Sequence, residues 1–270
     1  MAVFESFRDG WTALSTTPTL LVAGGVLVVL SLSGALEVGP AAEPAVDLAV
    51  VLLFPFALGG FIEMTVAAVR DGEGSLRSYL RAGAANYLRL VGAWLLFVVG
   101  LLVVLTVVST LSLVPLALAF AGGPGDLAAL GAGVGMVLTG VGTVLGVVAA
   151  VLFFQFFSAA IVAEDRHVVD AFRRSAGLVR RNLASAAGFS LAWLLAVGAV
   201  PTPETLLEPG ITEAVRSLGL PAGTLPVLAA VVGAVTVVGL TYCYTVYVAY
   251  FLRLTGERPA WHRTTGPDTP

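Results

Sequence analysis

Glu63 is the one formal charge that lies well inside a long apolar stretch of the chain. It stands seven residues before Arg70, which places it about 10 Å along a helix from that arginine. A carboxylate within a membrane is costly and often functional, so Glu63 is a candidate for contact with a substrate or a proton. The simpler interpretation is that its side chain reaches the interface or pairs with an arginine.

Gln155 is a second polar residue within an apolar run. A hydrogen bond to a neighbouring helix is its ordinary role in a membrane. A transporter or permease-like protein would bring Glu63 and Gln155 into one wet cavity, whereas a structural role would leave both packed dry. The two residues therefore form a candidate intramembrane polar site.

Arginines form the second group of candidates. The segment from Asp165 to Leu183 is amphipathic, with an arginine-rich polar face on which Asp170 and Arg174 have the i,i+4 spacing of an ion pair. Such a face either signals orientation and is solvated, or binds anionic headgroups or a protein partner. The candidates for these contacts are Arg77, Arg81, Arg173, Arg174, Arg180 and Arg181.

Other chemistry is poorly represented. The chain has one cysteine, Cys243, and two histidines, and it lacks the motifs of zinc hydrolases, P-loop nucleotide binding, serine hydrolases and dinucleotide binding. No basic patch suggests nucleic acid. We expect no cofactor, no metal site and no enzymatic activity.

Composition identifies an integral membrane protein. Hydrophobic residues make up 58% of the 270 residues and charged residues only 11%, against about 25% charged in soluble domains. All 14 basic residues are arginine and the net charge is −3. This balance favours a halophilic archaeon or a GC-rich actinobacterium as the source.

Six apolar runs predict an all-α, polytopic fold. Pro115 should end the third span early, and Gly142 and Gly146 in the fourth have the small-xxx-small spacing of close helix packing, within the bundle or in a homo-oligomer. The fourth run, at 37 residues, would measure about 55 Å as a straight helix, so it must tilt, bend or project. The runs are 18–35, 48–69, 90–120, 127–163, 183–200 and 225–254.

Amphipathic segments precede the first, third and fifth runs, and we call each an elbow. The first elbow spaces Phe4, Phe7, Trp11 and Leu14 as one helical face. The second has Ser75 as a helix N-cap. Asn86 and Asn182 occupy equivalent positions in the second and third, and we expect each to bond exposed backbone where the elbow becomes the span. The predicted repeat is elbow, span, loop, span, in units of about 1–70, 71–163 and 164–254, followed by a disordered cytoplasmic tail, 255–270.

Arginine placement predicts the orientation. Only Arg216 of the 14 arginines falls in an outer loop, so both termini should be cytoplasmic and the three units parallel. The predicted location is the plasma membrane, with multiple passes.

The run Val169-Asp-Ala-Phe-Arg-Arg-Ser175, followed by Leu178-Val-Arg-Arg-Asn-Leu183 and Gly188, resembles a known pattern. It is similar to an elbow of the membrane domains associated with glycerophosphoryl diester phosphodiesterases and of related six-helix proteins of bacteria and haloarchaea. The resemblance implies a six-helix membrane domain and no catalytic residue.

The sequence thus favours a non-enzymatic membrane scaffold or assembly protein whose basic rim contacts lipids or another protein. The alternative is a transporter that uses Glu63 and Gln155.

Overall fold

The fold is all-α. A computed structural model describes residues 2–32, 42–121, 126–201, 217, 224–257 and 259–262, and none of them lies in a strand. A short 3-10 helix, Ala260–His262, follows the last α-helix. The α-helices are α1 (Ala2–Thr16), α2 (Thr19–Leu32), α3 (Glu43–Asp71), α4 (Leu76–Ala121), α5 (Asp126–Phe154), α6 (Phe157–Ala163), α7 (Val168–Arg181), α8 (Leu183–Gly198) and α9 (Thr224–Leu254).

Several helices have the length and composition needed to cross a membrane, as expected of a membrane protein. Four qualify alone, and the bent pair α1–α2 makes a fifth when it is counted as one span. The six predicted spans are thus confirmed only in part. Among the predicted spans, α2 has 14 residues and α8 has 16, so they measure about 21 and 24 Å against about 30 Å of hydrocarbon. The four are Glu43–Asp71, Leu76–Leu111, Gly133–Ala163 and Pro226–Leu254.

The three elbows differ in shape. The chain bends by 109° between α1 and α2, where Pro18 follows Thr17. The helix is also interrupted at Asn182, between α7 and α8. The second elbow has no such break, because α4 continues through it and through Pro115 as one helix of 46 residues. The prediction that Pro115 ends the third span early is wrong. The second elbow is an extension of the helix that forms its span.

The fourth run is interrupted near its end; the sequence left open whether it would tilt, bend or project. Helix α5 ends at Phe154 and α6 begins at Phe157, so the break falls at Gln155 and Phe156. Residues 164–167 then connect α6 to the third elbow, α7.

The buried core lies where the helices approach the arginines. It joins the second half of α3, the first half of α4, helices α6 and α7, and the second half of α9. The opposite ends of α4, α5, α8 and α9 expose leucine and valine, a surface suited to lipid. The end of the helices that carries the arginines therefore holds most of the buried side chains of the described structure.

Glycines allow two close helix contacts. A Cβ on Gly60 would lie 2.6 Å from the carbonyl oxygen of Tyr79, and one on Gly83 would lie 2.8 Å from that of Phe56, so α3 and α4 pack backbone to backbone. A Cβ on Gly142 or Gly146 would meet Val108 or Val104 of α4, at 2.9 and 3.0 Å. The latter two glycines thus pack inside the chain, and a homo-oligomer through this helix stays a prediction.

Candidate functional site

Glu63 lines an open pocket of about 370 Å³ between α3 and α4. Val162 near the end of α6 and Asp165 in the loop after it close one side of the pocket. We call this cavity the α3–α4 pocket. Its polar side chains are Glu63, Ser78, Arg81, Asn86, Arg89 and Asp165.

Two of the four charged side chains in the pocket form an ion pair with each other. Arg89 donates from Nη1 to the carboxylate of Asp165 in an ion pair. Asp165 has a φ of +50°, in the left-handed region that aspartate tolerates better than most residues. The ion pair therefore joins α4 to the loop that leads into α7.

The other two charges, Glu63 and Arg81, make no side-chain hydrogen bond or ion pair within the described part of the chain. Glu63 is half-buried, whereas Arg81 is exposed. Asn86 donates to the carbonyl oxygen of Ala82 at 3.2 Å, the backbone contact predicted for it. The carboxylate of Glu63 and the guanidinium of Arg81 are thus the two charged groups of the pocket that form no ion pair within the described residues.

Gln155 does not line this pocket. Its Oε1 accepts a hydrogen bond from Ser190 of α8 at 2.9 Å, as predicted for an interhelical contact. Its carbonyl oxygen accepts one from the Tyr247 hydroxyl of α9 at 2.6 Å. Its Nε2 is buried with no hydrogen-bond partner in the described residues. The two residues of the predicted intramembrane site therefore lie in different surroundings.

Ser175 stabilises the break at Gln155 and Phe156. Its Oγ donates to the carbonyl oxygen of Phe153 at 2.8 Å and accepts from the N–H of Phe156 at 3.1 Å. These are backbone groups that the interrupted helix cannot satisfy itself. Sequence reasoning did not select Ser175, although it stands in the run that carries the family resemblance.

The same run provides the rest of the α6–α7 contact. Phe172 stacks on Phe157 with ring centroids 4.8 Å apart, and Ala171 and Leu178 are buried. Asn182 donates to the carbonyl oxygen of Leu178 at 3.1 Å, as predicted. The pattern thus has a packing explanation.

Glu164 organises the loop before α7. It accepts three contacts from Nε and Nη2 of Arg174, the closest at 2.8 Å, and one from Arg166 at 2.6 Å. Burial raises the pKa of its carboxyl, but the hydrogen bonds and charges of Arg174 and Arg166 more than offset this and hold the pKa below its ordinary value. The predicted Asp170–Arg174 pair is wrong, because Asp170 lies 3.8 Å from Arg173 instead.

The remaining candidates face outward. Arg77 and Arg81 are exposed on α4, and Arg173, Arg180 and Arg181 are exposed on α7. Arg174 differs, since Glu164 engages it inside the fold. Arg81 alone of these candidates lines the α3–α4 pocket.

Long-range ion pairs close the same end of the molecule. Arg70 donates to both carboxylate oxygens of Glu257, at 2.5 and 2.6 Å. Arg253 of α9 pairs with Glu5 and with Asp9 of α1, and Asp9 is only 1% exposed. Trp261 donates to Asp9 at 3.3 Å. Residues 255–257 and 259–262 of the tail that the sequence predicts to be disordered are described and make these contacts through Glu257 and Trp261, and its other residues lie outside the described ranges.

Within the described residues, no group of three histidine, cysteine, aspartate or glutamate side chains is placed to hold a metal ion. Cys243 is a buried free thiol. The charged and hydrogen-bonding side chains of the α3–α4 pocket are suited to contact with a charged group.

These features define a class: an all-α membrane protein with a polar pocket between two of its long helices. The chain belongs to the family described as a domain of unknown function, DUF7847, whose model matches residues 1–254. No curated protein and no solved structure matches it. The resemblance to phosphodiesterase-associated membrane domains stays a prediction.

Proposed function

We propose that this protein is a non-enzymatic membrane scaffold or assembly protein whose basic rim contacts anionic lipid headgroups. The basic rim consists of the exposed arginines Arg77, Arg81, Arg173, Arg180 and Arg181. The proposed location is the plasma membrane, with the rim and both termini in the cytoplasm.

The exposed face of α7 carries this proposal. Its opposite face packs through Ala171, Ser175 and Leu178, which fixes the orientation of the helix. The side chain of Arg173 remains 79% exposed, and Arg180 and Arg181 are exposed a little further along. Each arginine near an anionic surface contributes about 1 kcal/mol of attraction. Three on one short, rigid helix would enrich such lipids around it.

We further propose six spans in three parallel units. The two short helices α2 and α8 would each complete a crossing with the elbow before it. Single cysteines provide the test, because Cys243 is buried and should react slowly. Cysteine at the exposed positions Glu73 and His167 should be labelled from the cytoplasm, and at Ala42 and Pro201 from outside. Labelling of either pair from the opposite side would overturn the topology.

Lipid selectivity tests the rim itself. The chain would be reconstituted in phosphatidylcholine vesicles with a minor fraction of spin-labelled phosphatidylglycerol, and the immobilised fraction of the label measured. Changing Arg173, Arg180 and Arg181 together to glutamate should abolish the enrichment of this lipid. The matched triple lysine variant should retain it, since the charge is unchanged. Equal enrichment in the glutamate variant would refute the proposal.

No observation on the described residues favours the transporter alternative. It requires Glu63 and Gln155 to share a cavity, and Gln155 is outside the α3–α4 pocket. We therefore offer no second function.

A further inference from the structure

We propose that the α3–α4 pocket binds the headgroup of a zwitterionic phospholipid, with the phosphate at Arg81 and the ammonium group at Glu63. This proposal rests on the proposed membrane setting of the chain. It goes further because it assigns one site, one headgroup class and two residues with different roles.

The charges of the pocket support a zwitterion. Arg89 and Asp165 neutralise each other, so Glu63 and Arg81 are the two charges available to a ligand. A purely anionic phosphate would meet Arg81 favourably but would be repelled by Glu63. A headgroup with both a phosphate and an ammonium group matches the pair and relieves the cost of a half-buried, unpaired carboxylate.

Hydrogen-bonding groups beside these charges fit the same ligand. Ser78 lies on α4 at the edge of the pocket; its hydroxyl group donates to the carbonyl oxygen of Ser75 at 2.6 Å, which leaves the hydroxyl oxygen as an acceptor. Asn86 uses its amide nitrogen on Ala82, which leaves its carbonyl oxygen as an acceptor for an ammonium proton. The pocket volume of about 370 Å³ accommodates a headgroup.

The surface that continues from the pocket identifies the occupant as a lipid. Arg81, Ala85, Leu88, Gly92 and Leu95 follow one face of α4, at helical spacing. Leu88 is 79% exposed and Leu95 is 62% exposed, so this face is apolar and open as it leaves the pocket. Ala85 and Gly92 between them are small residues, and we call this apolar face of α4 the apolar track. A polar pocket joined to an apolar track suits an amphiphile rather than a soluble ion.

Native mass spectrometry of the full chain in detergent tests the site, with phosphatidylethanolamine and phosphatidylglycerol as probes. The wild type should prefer phosphatidylethanolamine at one site. Glu63→Gln should lower its affinity about tenfold, the value of one charged hydrogen bond, and leave phosphatidylglycerol unaffected or slightly favoured. Arg81→Gln should weaken both lipids. Glu73→Gln and Arg8→Gln alter exposed charges outside the pocket and serve as matched controls.

A conservative variant and a soluble competitor make the test decisive. Glu63→Asp retains the charge and should retain part of the preference, which separates recognition from loss of folding. Soluble O-phosphoethanolamine should not displace the lipid, and displacement at equal concentration would show that the apolar track is not used. An unchanged preference in Glu63→Gln overturns this proposal alone. The basic rim is tested separately, because the three arginines of α7 lie outside the pocket.

Discussion

Helices α1 and α7 occupy the same place in the predicted repeat but present different surfaces. Helix α1 exposes aromatic side chains, with Phe4 at 83% and Trp11 at 61% exposure. Helix α7 exposes arginines, Arg173 among them. Aromatic side chains suit the membrane interface, and guanidinium groups suit the headgroup layer above it. The comparison teaches that α1 and α7 differ in their exposed side chains, which suit different contacts, although they precede their spans in the same way.

Both elbows are fixed by a polar side chain that points inward. On α1 it is Asp9, which is held by Arg253. On α7 it is Ser175 at the helix break, together with Arg174 in its pair with Glu164. These inward contacts differ in burial and charge. Removing them should therefore lower the free energy of unfolding by different amounts for α1 and α7.

Removal of the Arg253 side-chain charge should have the largest effect. Arg253→Gln removes the ion pairs that Arg253 makes with the buried Asp9 and with Glu5, which should cost about 3–5 kcal/mol in the free energy of unfolding. Thermal or denaturant unfolding in detergent measures this cost. Arg8→Gln, at an exposed arginine on the same helix as Asp9, should change stability by less than about 0.5 kcal/mol.

The double variant Arg253→Gln with Asp9→Asn should recover part of the loss, because the buried charge is gone. If Arg253→Gln were no more destabilising than Arg8→Gln, α1 would be a loosely attached interfacial helix.

Ser175→Ala should have an intermediate effect. Alanine removes the hydroxyl group without adding bulk and leaves the buried N–H of Phe156 without its hydrogen bond. The expected cost is about 1–3 kcal/mol. Hydrogen exchange at Phe156 should quicken more than exchange in α3. Ser185→Ala is the control, since it removes a hydroxyl contact to Tyr250 away from the break. Equal protection of Phe156 in both variants would mean that other contacts hold the break.

The sequence predicted the elements governed by local rules. Ser75 caps α4, since its Oγ accepts from the N–H of Ser78 at 3.1 Å. Asn182 bonds the backbone four residues earlier. Both contacts follow from side-chain chemistry within one turn of a helix.

Contacts between distant residues were beyond this reasoning. Asp9 and Arg253 are 244 positions apart, and the break falls at Gln155 because Ser175 and Tyr247 of other helices are there to bind its backbone. Glu63 and the arginines were identified by type, but only the packing of α3 on α4 joins Glu63 to Arg81. The continuity of α4 through its elbow and through Pro115 is likewise a property that local sequence rules did not predict.

The pair Glu164–Arg174 should give the smallest effect and a dependence on pH. The pKa of Glu164 is held below its ordinary value in the folded chain, because the contacts with Arg174 and Arg166 outweigh burial. The pair therefore stabilises the fold fully above the ordinary glutamate pKa of about 4.3. This contribution is lost as the pH falls through the lower, folded value.

Arg174→Gln should cost about 1–2 kcal/mol at neutral pH and should flatten this acid-side slope, because Glu164 keeps only its contact with Arg166. Unfolding midpoints measured from neutral to acidic pH test both. Arg173→Gln, next to it on the exposed face, should leave the slope unchanged and alter only lipid contact. If both variants shifted the slope alike, the inward and outward faces of α7 would not be distinct, and the proposed division between support and contact would fail.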